Sequence, residues 1–90
     1  MRLFIHITDG DIKDPDCKVN MYRDLESVPY IRGGTTVWIS KWVTSEVYGV
    51  YLDLSLDPPR VVAKCNVHTG FLGARDLADR LAGEGWTEIE

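Results

Sequence analysis

Two neighbouring runs of strict alternation constrain this chain more than any other feature in it. From Glu46 to Leu56, one parity holds Tyr48, Val50, Leu52, Leu54 and Leu56, and the other holds Val47, Gly49, Tyr51, Asp53 and Ser55. From Arg60 to His68, Val61, Ala63, Cys65 and Val67 alternate with Arg60, Val62, Lys64, Asn66 and His68. Period two marks a half-buried strand, because successive side chains leave opposite sides of the backbone. Both apolar sets must land on the same side of a shared sheet. Pairing Leu56 with Val61 achieves this and leaves Asp57-Pro58-Pro59-Arg60 as the loop. Proline cannot take the positive φ of a primed two-residue turn. A four-residue loop, or a turn with Pro59 cis, keeps the same parity. The ladder then sets Leu54 opposite Ala63, Leu52 opposite Cys65 and Val50 opposite Val67. On the other side it sets Asp53 opposite Lys64, a cross-strand pair of opposite charge.

Further elements join this hairpin. Arg2–Thr8 alternates, with Leu3, Ile5 and Ile7 against Phe4 and His6, and reads as a strand ended by Asp9-Gly10. Asp9 to Asp16 has turn chemistry throughout. Between Lys18 and Ile31 the pattern admits two readings. Asn20 would cap a short helix over 20–27 with Met21 and Leu25 at i, i+4, stopped before Pro29, or Lys18–Arg23 would be extended; the helix is preferred. After Gly33-Gly34, the β-branched and aromatic run Thr35–Val43 is a strand with a turn at Thr44-Ser45. Ala74, Leu77, Ala78, Leu81 and Ala82 form one apolar stripe of a helix, closed by Gly83 as a left-handed C′ residue. Trp86–Glu90 returns as an edge strand. The expectation is a single α+β domain over residues 1–90. Its antiparallel sheet of 4–5 strands carries one C-terminal helix on one face, with a short helix near 20–27.

Charge limits the partners. The chain has ten basic and fourteen acidic side chains, a net charge of −4, and residues 70–90 hold only Arg75 and Arg80 against five carboxylates. No basic stripe exists to neutralise phosphates, so direct nucleic-acid binding is disfavoured. An acidic surface suits solubility or a basic partner. Leu3-Phe4-Ile5 is too short for a signal-peptide core and no run reaches a membrane-spanning length. The expected compartment is the cytoplasm, with Cys17 and Cys65 as reduced thiols.

The chemical motifs are weak. Cys65 and His68, three apart on one strand, point to opposite sides and cannot share an ion. Asp9, Asp11, Asp14 and Asp16 resemble a calcium loop, but the sixth position is Asp14 and the twelfth Asn20 where an EF-hand needs glycine and glutamate. Gly33-Gly34-Thr35-Thr36 lacks a phosphate-binding lysine. His6 and His68 have no nucleophile or orienting partner at local spacing. The pattern therefore predicts no enzyme, no metal and no cofactor.

One helix covers one face of a sheet. The alternations place Trp38, Trp42, Tyr51, Phe4, His6, Lys64 and His68 together on the other. Either Met21, Leu25, Val28, Tyr30 and Ile31 fold across that face as a second layer, or the sheet curls around the Trp side chains, or the aromatics are exposed and bind something. The expected function is a small non-catalytic protein-binding module, adaptor- or inhibitor-like. It would dock a basic partner protein, of which nucleic-acid-handling proteins are one class, through these seven residues. Three alternatives use the same residues: base stacking of single-stranded nucleic acid, a small-ligand site or enzyme built on His6 and His68, and a homodimer burying the aromatic face.

Overall fold

A computed structural model describes residues 1–9, 18–28, 30–69 and 72–89. In chain order the elements are β1 (Arg2–Thr8), β2 (Lys18–Asp24), β3 (Thr36–Ser40), β4 (Val43–Asp53), β5 (Arg60–His68), α1 (Ala74–Ala82) and β6 (Thr87–Glu88). They form a six-stranded sheet in the order β3-β4-β5-β1-β2-β6, curled into a half-barrel, with the short helix on its concave side. The sheet is mixed, which corrects the expectation of 4–5 antiparallel strands. β1 runs parallel to β5, Ile5 against Cys65, while every other pairing is antiparallel. A parallel pair needs a long connection, and β2, β3 and β4 all lie between β1 and β5 in the chain.

The helix preferred for 20–27 is absent, and Lys18–Asp24 is a strand. Val19 and Met21 face the core while Asn20 and Tyr22 face away. Pairing along the whole of β1, from Arg2↔Asp24 to Thr8↔Lys18, outweighs a local helical preference supported by little more than Met21 and Leu25. The polar stretch 10–17, with Cys17 and most of the calcium-like carboxylates, lies outside the described residues.

The β3–β4 turn falls at Lys41-Trp42, not Thr44-Ser45. The β4–β5 ladder keeps the expected parity but is displaced: Leu52, not Leu56, faces Val61, Val50 faces Ala63, and Asp53 faces Arg60 instead of Lys64. The connection is correspondingly longer, and the cis bond precedes Pro58 rather than Pro59. A bulge between Val47 and Gly49 makes Val47 the partner of Cys65. One extra residue reverses which parity points inward. Val47 is therefore buried and Tyr48, expected in the core, is exposed; Leu52 keeps the side of Val61 and Leu54 lies in the following turn, and both are exposed because that end of β4 runs past the helix.

The core lies between the concave side and α1. Leu3, Ile5, Ile7, Val19, Met21, Val47, Ala63, Cys65 and Val67 meet Ala74, Leu77, Ala78 and Leu81 of the helix, with Trp86 closing one end. Ala82, placed on the apolar stripe by the sequence, is exposed, and the left-handed glycine is Gly85 (φ 99°), not Gly83 (φ −71°). Nine helical residues span only about 13–14 Å, so α1 rests on β1, β2 and β6. Ile39 and Val47 of the β3–β4 hairpin join this core, and Trp42 and Val43 line clefts against Leu77 and Leu81; from Tyr48 onward β4 is exposed or half-buried.

Candidate functional site

The convex side, which α1 leaves uncovered, is laid out in rows that follow from the strand registers. Across β4, β5, β1 and β2 one row reads Tyr51, Val62, Arg2, Asp24, and the next Gly49, Lys64, Phe4, Tyr22. Over β5, β1 and β2 two more read Asn66, His6, Asn20 and His68, Thr8, Lys18. The side is not a greasy sheet face awaiting a second layer. Cations lie across its rings: Lys64 Nζ is 5.1 Å from the Tyr51 centroid and 5.7 Å from that of Phe4, and the Arg2 guanidinium is 4.0 Å from that of Tyr22. Long basic side chains shield apolar surface with their stems while keeping the charge in water. Val62, in the middle of this side, is only 3% exposed.

Asp24 ties three strands together at one end. Arg2 of β1 donates Nε–H and Nη2–H to its two oxygens at 2.8 and 3.2 Å, and Arg60 of β5 donates Nη1–H at 2.9 Å. The hydrogen bonds from Arg2 hold the Asp24 carboxyl below its ordinary range; partial burial opposes this and Arg60 adds to it. The Asp53 carboxyl is also lowered, by hydrogen bonds from the hydroxyl and backbone N–H of Ser55.

Of the seven residues singled out from the sequence, Phe4, Tyr51 and Lys64 come together as described. His6 is on the same side with its Nδ1–H donated to Asn20 Oδ1 at 2.6 Å, and His68 Nδ1 lies 3.4 Å from Thr8 Oγ1. The two imidazoles thus turn to different partners. Trp38 shares the convex side but stands on the edge strand opposite Thr44. Seven residues along β4 separate that position from Tyr51, roughly 20 Å. Trp42 does not join Phe4, Tyr51 and Lys64: it sits in the β3–β4 turn and overhangs the helix side, where His68 at the end of β5 is the one residue of the seven that lines the same cleft. There it rims an open cleft of about 490 Å³ with Val43, Val67, His68, Leu72 and Leu77, and a smaller one of about 120 Å³ toward Leu81. The expected single aromatic face is therefore divided. None of Met21, Leu25, Val28, Tyr30 or Ile31 covers the tryptophans, since Met21 is in the core and Leu25 and Ile31 pack against it.

The sequence reading named Trp38, Trp42 and Tyr51 but missed Tyr48, Leu52 and Leu54, which extend the same exposed apolar surface. Trp38 (69% exposed), Trp42 (73%), Tyr48, Tyr51, Leu52 and Leu54 all belong to the β3–β4 hairpin or its end, and only Tyr30 and Ile89 match them elsewhere among the described residues. The available signal was Gly49. A glycine inside an alternating strand marks a bulge, and the bulge is what turns Tyr48 outward.

Cys65 is fully buried and His68 is exposed on the opposite side. Burial pushes the Cys65 thiol up, so it stays protonated and unreactive. Among the described residues no group of three His, Cys, Asp or Glu side chains is placed to hold a metal ion, and no described helix is long and apolar enough to cross a membrane. Comparison of the chain with family models, with curated proteins and with solved structures finds no match.

Proposed function

We propose that this chain is a non-catalytic, adaptor- or inhibitor-like module that docks a partner protein through its β3–β4 hairpin. The observation that carries the reading is the concentration of exposed Trp, Tyr and Leu side chains from Trp38 to Leu54, on a hairpin that buries only Ile39 and Val47 in the core. Contiguous exposed apolar surface is a mark of interaction sites, and Trp and Tyr dominate binding hot spots. The hairpin carries Lys41 against Glu46 and Asp53, a local balance of 1 − 2 = −1 within a chain of net charge −4. That sign supports a basic partner, with steering that weakens as salt rises. Nucleic-acid-handling proteins are one such class.

The test is a pull-down from the native cell with the wild type, Trp38→Ala and Trp42→Ala, with circular dichroism to verify the fold. Loss of the same captured protein in both variants supports the reading; an unchanged set of partners refutes it. A second reading is favoured by one observation, the Lys64 ammonium set between the Phe4 and Tyr51 rings. A cation among aromatics suits single-stranded nucleic acid. Fluorescence titration with a labelled single-stranded oligonucleotide tests it, and absence of binding at low salt removes it.

A further inference from the structure

We infer that the outer edge of β4, from Tyr48 to Leu52, pairs with the same segment of a second copy of this chain, making an antiparallel dimer through a continued sheet. β3 covers only the first part of β4. Its register ends at Thr36↔Glu46, and beyond it the Val47 N–H donates to Thr35 O at 2.9 Å while Val47 O accepts from the Gly34 N–H at 2.7 Å. From Tyr48 onward β4 is paired with β5 alone among the described residues. An unpaired row of backbone donors and acceptors is a template for another strand. Here Tyr48, Tyr51 and Leu52 flank it, exposed by 57%, 41% and 61%.

Length, charge and shape favour a second copy as the occupant. The free edge is bounded by the Thr35–Val47 contact at one end and by the turn at Leu54-Ser55 at the other. A long foreign strand would run into β3, whereas the same segment of a second copy stops at the same turn. Val47 to Leu52 carries no charge, so Glu46 and Asp53 stay outside the paired stretch. With a two-fold axis at Val50, Tyr51 lies beside the partner's Gly49. Gly49 shares the convex side with Tyr51, and a Cβ placed on it would meet nothing within 4 Å. An aromatic ring across from a strand glycine is a recognised stabilising pair.

The contact is small. At roughly 200 Å² for a side chain of this size, the three exposed residues contribute roughly 300 Å² per copy, so the interface sits below the usual size for stable complexes. The expected dissociation constant is about 10–100 μM.

Sedimentation equilibrium over micromolar to millimolar concentrations should show a monomer–dimer equilibrium in that range. Leu52→Lys, at an exposed position, should weaken it at least about tenfold. Gly49→Thr should weaken it while leaving the monomer fold intact by circular dichroism, because the new side chain occupies the space intended for Tyr51. Trp38→Ala, which removes a docking residue proposed above, should leave dimerisation unchanged, so the two proposals fail separately. A monomer up to millimolar concentration overturns the inference, as does a dimer insensitive to both Leu52→Lys and Gly49→Thr.

Discussion

Replacing Asp24 with asparagine is the sharpest test of how the convex side is held together. The substitution keeps the shape and one acceptor oxygen but removes the charge that Arg2 and Arg60 share. The Asp24 side chain is 39% exposed, and those of Arg2 and Arg60 20% and 22%, so solvent screens both pairs and each contributes about 0.5–1 kcal/mol. With two guanidinium groups left facing each other, the expected loss is about 1–2 kcal/mol. For a domain of this size that lowers Tm by about 5–12 °C at pH 7. The pH dependence has a definite sign. The folded-state pKa of Asp24 is depressed, so its contribution is complete above the ordinary carboxylate value of about 4 and disappears as pH falls through the folded value. Urea or thermal unfolding of wild type and Asp24→Asn, followed from pH 7 to the acid limit, should show two curves that converge in acid. About 1 M salt should narrow the gap at pH 7. Equal stability at pH 7, or a gap that persists when both proteins are fully protonated, would refute the role assigned to Asp24.

Two further outcomes follow from single residues. Cys65 should resist alkylation in the native protein and react once denatured, as read by mass spectrometry. Its raised folded-state pKa also means that its contribution holds below the ordinary thiol value of about 8.5 and is lost as pH rises beyond it; rapid native labelling would contradict its burial. Gly85→Ala forces a Cβ into a backbone with φ of 99°, at a cost of about 1–2 kcal/mol. An unchanged Tm would show that the turn before β6 relaxes without penalty.

Much of the architecture was legible because burial imposes a period. The alternations of β1 and β5 and the stripe of Ala74, Leu77, Ala78 and Leu81 each describe one covered side, and each corresponds to an observed element. What escaped was information held between strands. Whether Lys18–Asp24 coils or extends depends on β1 offering a full row of backbone partners, which no property of Asn20 or Met21 announces. The parallel placement of β1 beside β5 is likewise invisible to any local pattern. The candidate site was legible by residue type and not by arrangement. Phe4, Tyr51 and Lys64 do meet, but the turn at Lys41-Trp42 carries Trp42 to the opposite side. The bulge turns Tyr48 into solvent, while Leu52 and Leu54 are exposed because that end of β4 runs past the helix. A shifted turn and a single inserted position are what a parity argument is most sensitive to.

The parallel pair at the centre of the sheet has a consequence for biogenesis. β1 leaves the ribosome before its neighbour β5, which follows only after more than fifty intervening residues, a delay of roughly 3–12 s at ordinary elongation rates. Throughout it, Leu3, Ile5, Ile7, Val19 and Met21 have at most a two-stranded ribbon to shelter in, which is marginal in water. The nascent chain thus presents a sticky half-sheet before its other half exists. Slow, topology-limited maturation and capture by holding chaperones are the behaviour this order of synthesis favours.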